Sequence, residues 1–181
     1  MQNIQNDEKG EVLGEFVLEI LNRLHNRKKE SIKILQKYGI QETEKIKWHP
    51  FEGWMRGFKE ISKEIGSTGL YIMGTELSEN FESSVAIDSL KKAFESLDKI
   101  YQKKHRNAEF GKFKLLNFDD VKREAEIVSD TSYPCDFERG IIMGLTNKYR
   151  PYDARQVWVV HKDFKSCRKN GLDNCKYFIK W

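Results

Sequence analysis

The apolar residues of this chain keep one period up to Asn107 and another after it, and that switch limits the fold more than any other feature. Before Asn107 they recur every three or four positions, the spacing of a helix with one buried face. After it they alternate with polar residues, the spacing of a half-buried strand. A chain of 181 residues arranged in this way reads as α+β, with N-terminal helices packed on a C-terminal antiparallel sheet of about four strands and a helix crossing between strand pairs.

Over residues 11–38, Leu13, Phe16, Val17, Ile20 and Leu24, then Ile32, Leu35 and Tyr38, predict a long helix broken near Asn26 and stopped at Gly39. A polar stretch at 25–31 interrupts its apolar stripe. One half can therefore face the domain and the other a second subunit, or both can lie within the domain. Trp48, His49 and Pro50 open a second helical segment, whose residues Phe51, Trp54, Met55, Phe58, Ile61 and Ile65 form one face ending at Gly66. Thr68 caps a third, running to a polar loop at 79–84. Asp88 and Ser89 precede a helix carrying Leu90, Phe94, Leu97, Ile100 and Tyr101, which gives way to polar residues at 103–107. Residues 110–118 and 121–129 read as strands turned by Asp119 and Asp120. Pro134 starts the crossing helix, and 156–160 and 176–181 are the last strands, joined by a turn-rich connection at 163–174. Residues 1–45 are expected as an N-terminal helical extension and 46–181 as one ligand-binding-type unit.

Charge and hydropathy exclude several function classes. Lysines and arginines outnumber acidic residues by 32 to 28, scattered along the chain, so no nucleic-acid partner is expected. No run approaches the roughly 20 apolar residues of a membrane span, and residues 1–9 lack the layout of a secretory signal. A cytoplasmic location is expected. In such a reducing compartment the three cysteines serve as metal ligands or as buried thiols more readily than as disulfides.

Cys167 and Cys175 bracket a turn in which Gly171 lets the chain reverse, bringing both sulfurs to one point. Cys135 opens the crossing helix, where the helix dipole favours thiolate. Three sulfurs and one further donor, His161 or Asp163, would complete a tetrahedral zinc site, against the alternative of three separately buried thiols. Among the helices, Trp54, Met55, Phe58, Tyr71, Phe94, Tyr101 and His105 supply aromatic and flexible apolar material for a pocket, or simply for a core. His25 and His49 read as surface or helix-start residues. The sequence holds no nucleophile elbow, phosphate-binding glycine loop, dinucleotide fingerprint or metalloprotease helix, so an enzyme is not expected.

The stretch Ser132-Tyr-Pro-Cys-Asp-Phe-Glu-Arg-Gly140, followed by His161-Lys-Asp-Phe-Lys-Ser-Cys-Arg-Lys-Asn-Gly-Leu-Asp-Asn-Cys175, resembles the 4-vinyl-reductase-like domain. That domain shares a superfamily with haem nitric-oxide/oxygen-binding domains and subunits of the TRAPP transport complex, and the resemblance covers residues 48–181. In sensory members that respond to aromatic compounds, three cysteines and an acidic residue hold zinc near the C-terminal hairpin. The resemblance assigns Cys135, Cys167 and Cys175 to that role, with Asp163 or His161 as the fourth ligand. It implies a sensor that binds a small hydrophobic ligand and signals through an effector protein or a homodimer. Two alternatives come with it: an adaptor without ligand, as in the transport branch, and a haem-binding gas sensor. In the haem branch the proximal histidine lies in the long helix, where this chain has Tyr101 and, one turn later, His105.

Overall fold

The computed structural model describes residues 10–41, 45–79, 81, 87–163 and 167–181. The sequence readings at 1–9, for most of the polar loop at 79–84, and at 164–166 fall outside the described residues. The order of elements is β1 (Glu11–Leu13), α1 (Gly14–Asn22), α2 (Lys28–Lys37), β2 (Trp48–Pro50), α3 (Phe51–Glu79), α4 (Leu90–Lys103), β3 (His105–Arg106), β4 (Phe113–Asp119), β5 (Glu124–Ser129), α5 (Cys135–Tyr149), β6 (Trp158–His161) and β7 (Cys175–Lys180). The α+β class and the crossing helix stand as the sequence implied. No described helix is long and apolar enough to cross a membrane.

The larger sheet is antiparallel throughout, in the order β4-β5-β7-β6. Alternation places Ala125, Ile127 and Ser129 of β5 and Cys175, Tyr177 and Ile179 of β7 on the buried face. Helix α5 covers that face and lies against α3. The two helices meet at unusually close range because their contact runs over glycines: a Cβ on Gly140 would stand 2.1 Å from the Tyr71 carbonyl oxygen, and one on Gly74 2.2 Å from that of Phe137. Within α3 the backbone at Gly66 is not helical, with φ 67° and ψ −177°, so two helical runs meet there across a kink, as the two apolar stripes on either side of Gly66 implied.

A second, three-stranded sheet in the order β2-β1-β3 was not foreseen. Three corrections follow from it. Glu11 to Leu13 form a strand ahead of the first helix, while the break expected near Asn26 falls at the 3-10 turn His25–Arg27, where His25 has φ 46°. Trp48 to Pro50 form a strand, and the helix begins only at Phe51. His49, read as a surface or helix-start residue, lies in strand β2 two residues before the helix and is buried, paired with Val12, which has His105 on its other side. Strands of two or three residues carry no period that a sequence can display. Residues 10–41 also join the same core as the C-terminal sheet: Val12, Phe16, Val17 and Ile20 belong to one continuous apolar cluster with Tyr177 and Ile179.

Candidate metal centre and interior cavity

Four potential ligands arrive from four points of the chain. Cys135 is the first residue of α5, His161 ends β6, Cys167 precedes the short turn Arg168–Asn170, and Cys175 begins β7. Gly171, at φ 86°, supplies the left-handed residue that turns the chain back between the last two cysteines. One ligand atom from each of the four lies within 4.8 Å of the others. The Cys167 sulfur is 3.7 Å from those of Cys135 and Cys175 and 3.4 Å from His161 Nε2. For comparison, a tetrahedron with Zn–S near 2.3 Å and Zn–N near 2.0 Å has S···S edges of about 3.8 Å and S···N edges of about 3.5 Å. The residues therefore fit zinc in donor type, number and spacing. All three thiols are free and buried. Asp163 is exposed and lies outside the group, which puts His161 in the fourth place.

The three thiols differ: burial pushes Cys167 up, and only Cys175 is shifted towards thiolate. Hydrogen bonding from Cys135 holds the Cys175 thiol well below its ordinary range, with His161 and Arg168 contributing further, while Cys135 as the proton donor is pushed up. Arg168 donates to the Cys175 sulfur through both its backbone N–H and its Nε, each at 3.4 Å. The same guanidinium pairs through Nη2 with Glu138. Glu138 is fully buried, accepts hydrogen bonds from Ser129 Oγ at 2.6 Å, from Tyr177 OH at 2.7 Å and from Thr131 Oγ1, and is the residue sequence reasoning missed. An acidic residue in the first turn of a helix reads as a partner of the helix dipole, and only its position one turn after Cys135 hinted at more.

Beside this network lies a cavity of about 20 Å³. Its walls are Phe16 of α1, Leu97, Ile100 and Tyr101 of α4, and Phe137 and Ile141 of α5, with Thr131, Tyr133 and Glu138 on the side toward the cysteines. That volume holds about one water. Of the residues expected to form a pocket, only Tyr101 lines it. Trp54 and Phe58 are buried against Tyr133 and Phe137, Phe94 packs on Phe118, and Met55 is half-buried at the edge of the core. Tyr71 lies half-buried under the Arg139 guanidinium.

His105 is buried next to the cavity in a ring of aromatic side chains: Phe16, Phe51, Tyr101, Phe110 and Tyr133. Its hydrogen bonds are directional. The Tyr101 carbonyl can only accept, so His105 Nδ1–H donates to it at 2.9 Å, and Nε2 of the neutral ring accepts from the Tyr133 hydroxyl at 2.9 Å, which itself accepts from Trp54 Nε1 at 2.8 Å. Both ring nitrogens are engaged, and burial lowers the imidazole from 6.5 to about 4, keeping it neutral.

These elements define a class of fold. The chain is similar to H-NOX structures over nearly its whole length. An H-NOX protein from S. oneidensis in its Fe(II)NO ligation state matches 93% of this chain and 98% of its own, with TM-score 0.64 and 11% identity. A mutant of the H-NOX protein from K. algicida, in its Fe(II) unliganded state, matches at TM-score 0.63 and 12% identity, over 93% and 95% of the two chains. A mutant of the T. tengcongensis H-NOX protein matches at 0.62 and 19%, over 92% and 96%. This chain has the H-NOX fold. No protein-family model matches the sequence, and no curated protein matches it.

Proposed function

We propose that this chain is a small-ligand-sensing module of the H-NOX fold whose C-terminal hairpin is fixed by zinc on Cys135, His161, Cys167 and Cys175. The convergence of four buried or half-buried ligands from α5, β6, β7 and the turn between the two strands carries this reading, because three unrelated thiols gain nothing from meeting at the edge lengths of a zinc tetrahedron. When bound, zinc supplies structural cross-linking: it ties the start of α5 to both strands at the sheet edge. The fold likeness supports the superfamily, and the match of Cys135, Cys167 and Cys175 to the zinc cysteines supports its 4-vinyl-reductase-like branch. The ligand is small and apolar, in keeping with the cavity wall, and anything larger than a water requires wall side chains to move. Sensing without catalysis, a reducing cytoplasm and output through an effector protein or a second copy complete the proposal.

A haem-binding gas sensor is the second reading, and the fold likeness favours it: the S. oneidensis structure is an Fe(II)NO complex, and another similar structure concerns haem redox potential and porphyrin distortion. The side chains of this chain oppose it. The cavity is far smaller than a porphyrin, and His105 offers no free ring nitrogen to iron. As arranged, these residues do not fit haem.

Metal content and the visible spectrum of one freshly purified sample separate the readings. One zinc per chain with no Soret band is expected. A stoichiometric Soret band would overturn the zinc-sensor reading in favour of haem, and a sample with neither zinc nor haem would leave the adaptor alternative.

A further inference from the structure

Glu138 is a costly residue to keep where it is. A carboxylate with no exposed surface loses several kcal/mol of hydration, and a buried ion pair can often be replaced by apolar side chains without loss of stability. Its two oxygens face two different parts of the molecule. Oε1 accepts from Ser129 and Thr131, and Thr131 lines the cavity together with Glu138 itself. Oε2 accepts from Tyr177 and Arg168, and Arg168 in turn places its Nε–H and backbone N–H on the sulfur of Cys175. Tyr177 also lies against the His161 ring, at 5.1 Å between centroids, and its hydroxyl, whose one proton is shared between Glu138 and the Cys135 carbonyl, stands 3.1 Å from that carbonyl oxygen. A single carboxylate therefore holds, at one remove, three of the four metal-binding residues.

We propose that Glu138 is a positioning residue of the metal centre, acting through Arg168, and that it couples the interior cavity to the metal. The inference rests on the Cys135–His161–Cys167–Cys175 zinc reading. The planar guanidinium is the part that makes the coupling directional: one edge is committed to Glu138, and Nε is thereby aimed at Cys175. Hydrogen bonds to a ligating sulfur stabilise its thiolate form and set its orientation, and residues that orient ligands in this way commonly change metal affinity by about 10–100-fold when replaced. Because Glu138 and Thr131 form the cavity wall, a molecule that displaces either one changes the hold on Arg168. By reciprocity, metal that orders Arg168 also fixes the cavity wall.

Zinc affinity, measured by competition with a chromophoric chelator on the whole chain, tests the proposal, with the absorption spectrum of the cobalt(II)-substituted chain as a second readout. Glu138→Gln is expected to weaken zinc binding about 10-fold or more and to shift the cobalt bands. Adding Arg168→Lys to Glu138→Gln is expected to weaken zinc binding no further than the worse single variant, since the two residues act in series. Glu124→Gln, which breaks the half-buried pair with Lys180 at the other end of β7 from Cys175, serves as the control and should leave zinc affinity unchanged. Where Glu138→Gln does not fold, Thr131→Val removes one donor to Glu138 from the cavity side without touching Arg168 or any sulfur. It is expected to change zinc affinity about threefold. Wild-type zinc affinity and an unshifted cobalt spectrum in the folded Glu138 variant, or in Thr131→Val, would overturn the proposal while leaving the zinc site intact. Failure of the unmodified chain to bind zinc would instead overturn the zinc reading and this inference with it.

Discussion

His105 is held neutral by its surroundings, and that has a measurable sign. In the unfolded chain its pKa is near 6.5, and in the folded chain about 4, because burial penalises the charged ring. Between those values the unfolded state carries a proton that the folded state excludes. The contribution of His105 is therefore complete above pH 6.5 and is lost as the pH falls towards 4, a change of about 3 kcal/mol. Urea melts across this window should give a curve for His105→Gln that is flatter by nearly one proton than that of the unaltered chain. Glu138 is present in both and cancels in the comparison. Equal slopes would mean that the imidazole is solvated. At this scale the sequence was informative about cysteines and poor about neighbours. The turn from Cys167 to Cys175, with its glycine, announced that two sulfurs meet, and Cys135 at a helix start announced a third. The choice of His161 over Asp163 needed the point at which β6 ends, since the strand stops at His161 and leaves Asp163 beyond it, and Glu138 needed the position of Arg168, neither of which is periodic.

The α3–α5 crossing is the element that organises the rest. It brings Cys135 and Glu138 to the sheet and closes one side of the cavity. Its closeness depends on Gly74, Gly140 and Gly144, where an added Cβ meets a backbone or hydroxyl oxygen at 2.0–2.4 Å. Backbone atoms cannot rotate away, so the helices would have to separate. Gly140→Ala is expected to cost about 3 kcal/mol and to lower Tm by about 10 °C in a thermal melt. A loss within about 0.5 kcal/mol would show that the helices have room to part. The apolar stripes of α3 and α4 were legible because each presents one face to the core over many turns. The sheet of β1, β2 and β3 was not, since its strands are two or three residues long and are held by their partners, with Val12 between His49 and His105, more than by their own pattern.

On the scale of the whole molecule, the proposed zinc would make the cysteines and His161 a clasp between α5 and the last hairpin, across 32 residues from Cys135 to Cys167. Metal that binds only the folded chain adds its binding free energy to stability. Removal of zinc with a strong chelator is therefore expected to lower Tm by well over about 10 °C, and Cys167→Ser should behave like the chelated chain and be insensitive to added zinc. A Tm unchanged by chelation, read by circular dichroism, would reduce the cluster to ordinary buried thiols. The α+β class was readable from the change of period at Asn107, whereas the cavity was not, because its wall is assembled from α1, α4, α5 and residues between β5 and α5 that share no sequence signal.

The most direct test of the account is X-ray absorption at the zinc edge on the purified chain. A first shell of three sulfurs near about 2.3 Å and one nitrogen near about 2.0 Å is expected for Cys135, Cys167, Cys175 and His161. A shell dominated by oxygen, or a chain that carries no zinc and takes none up, would contradict it.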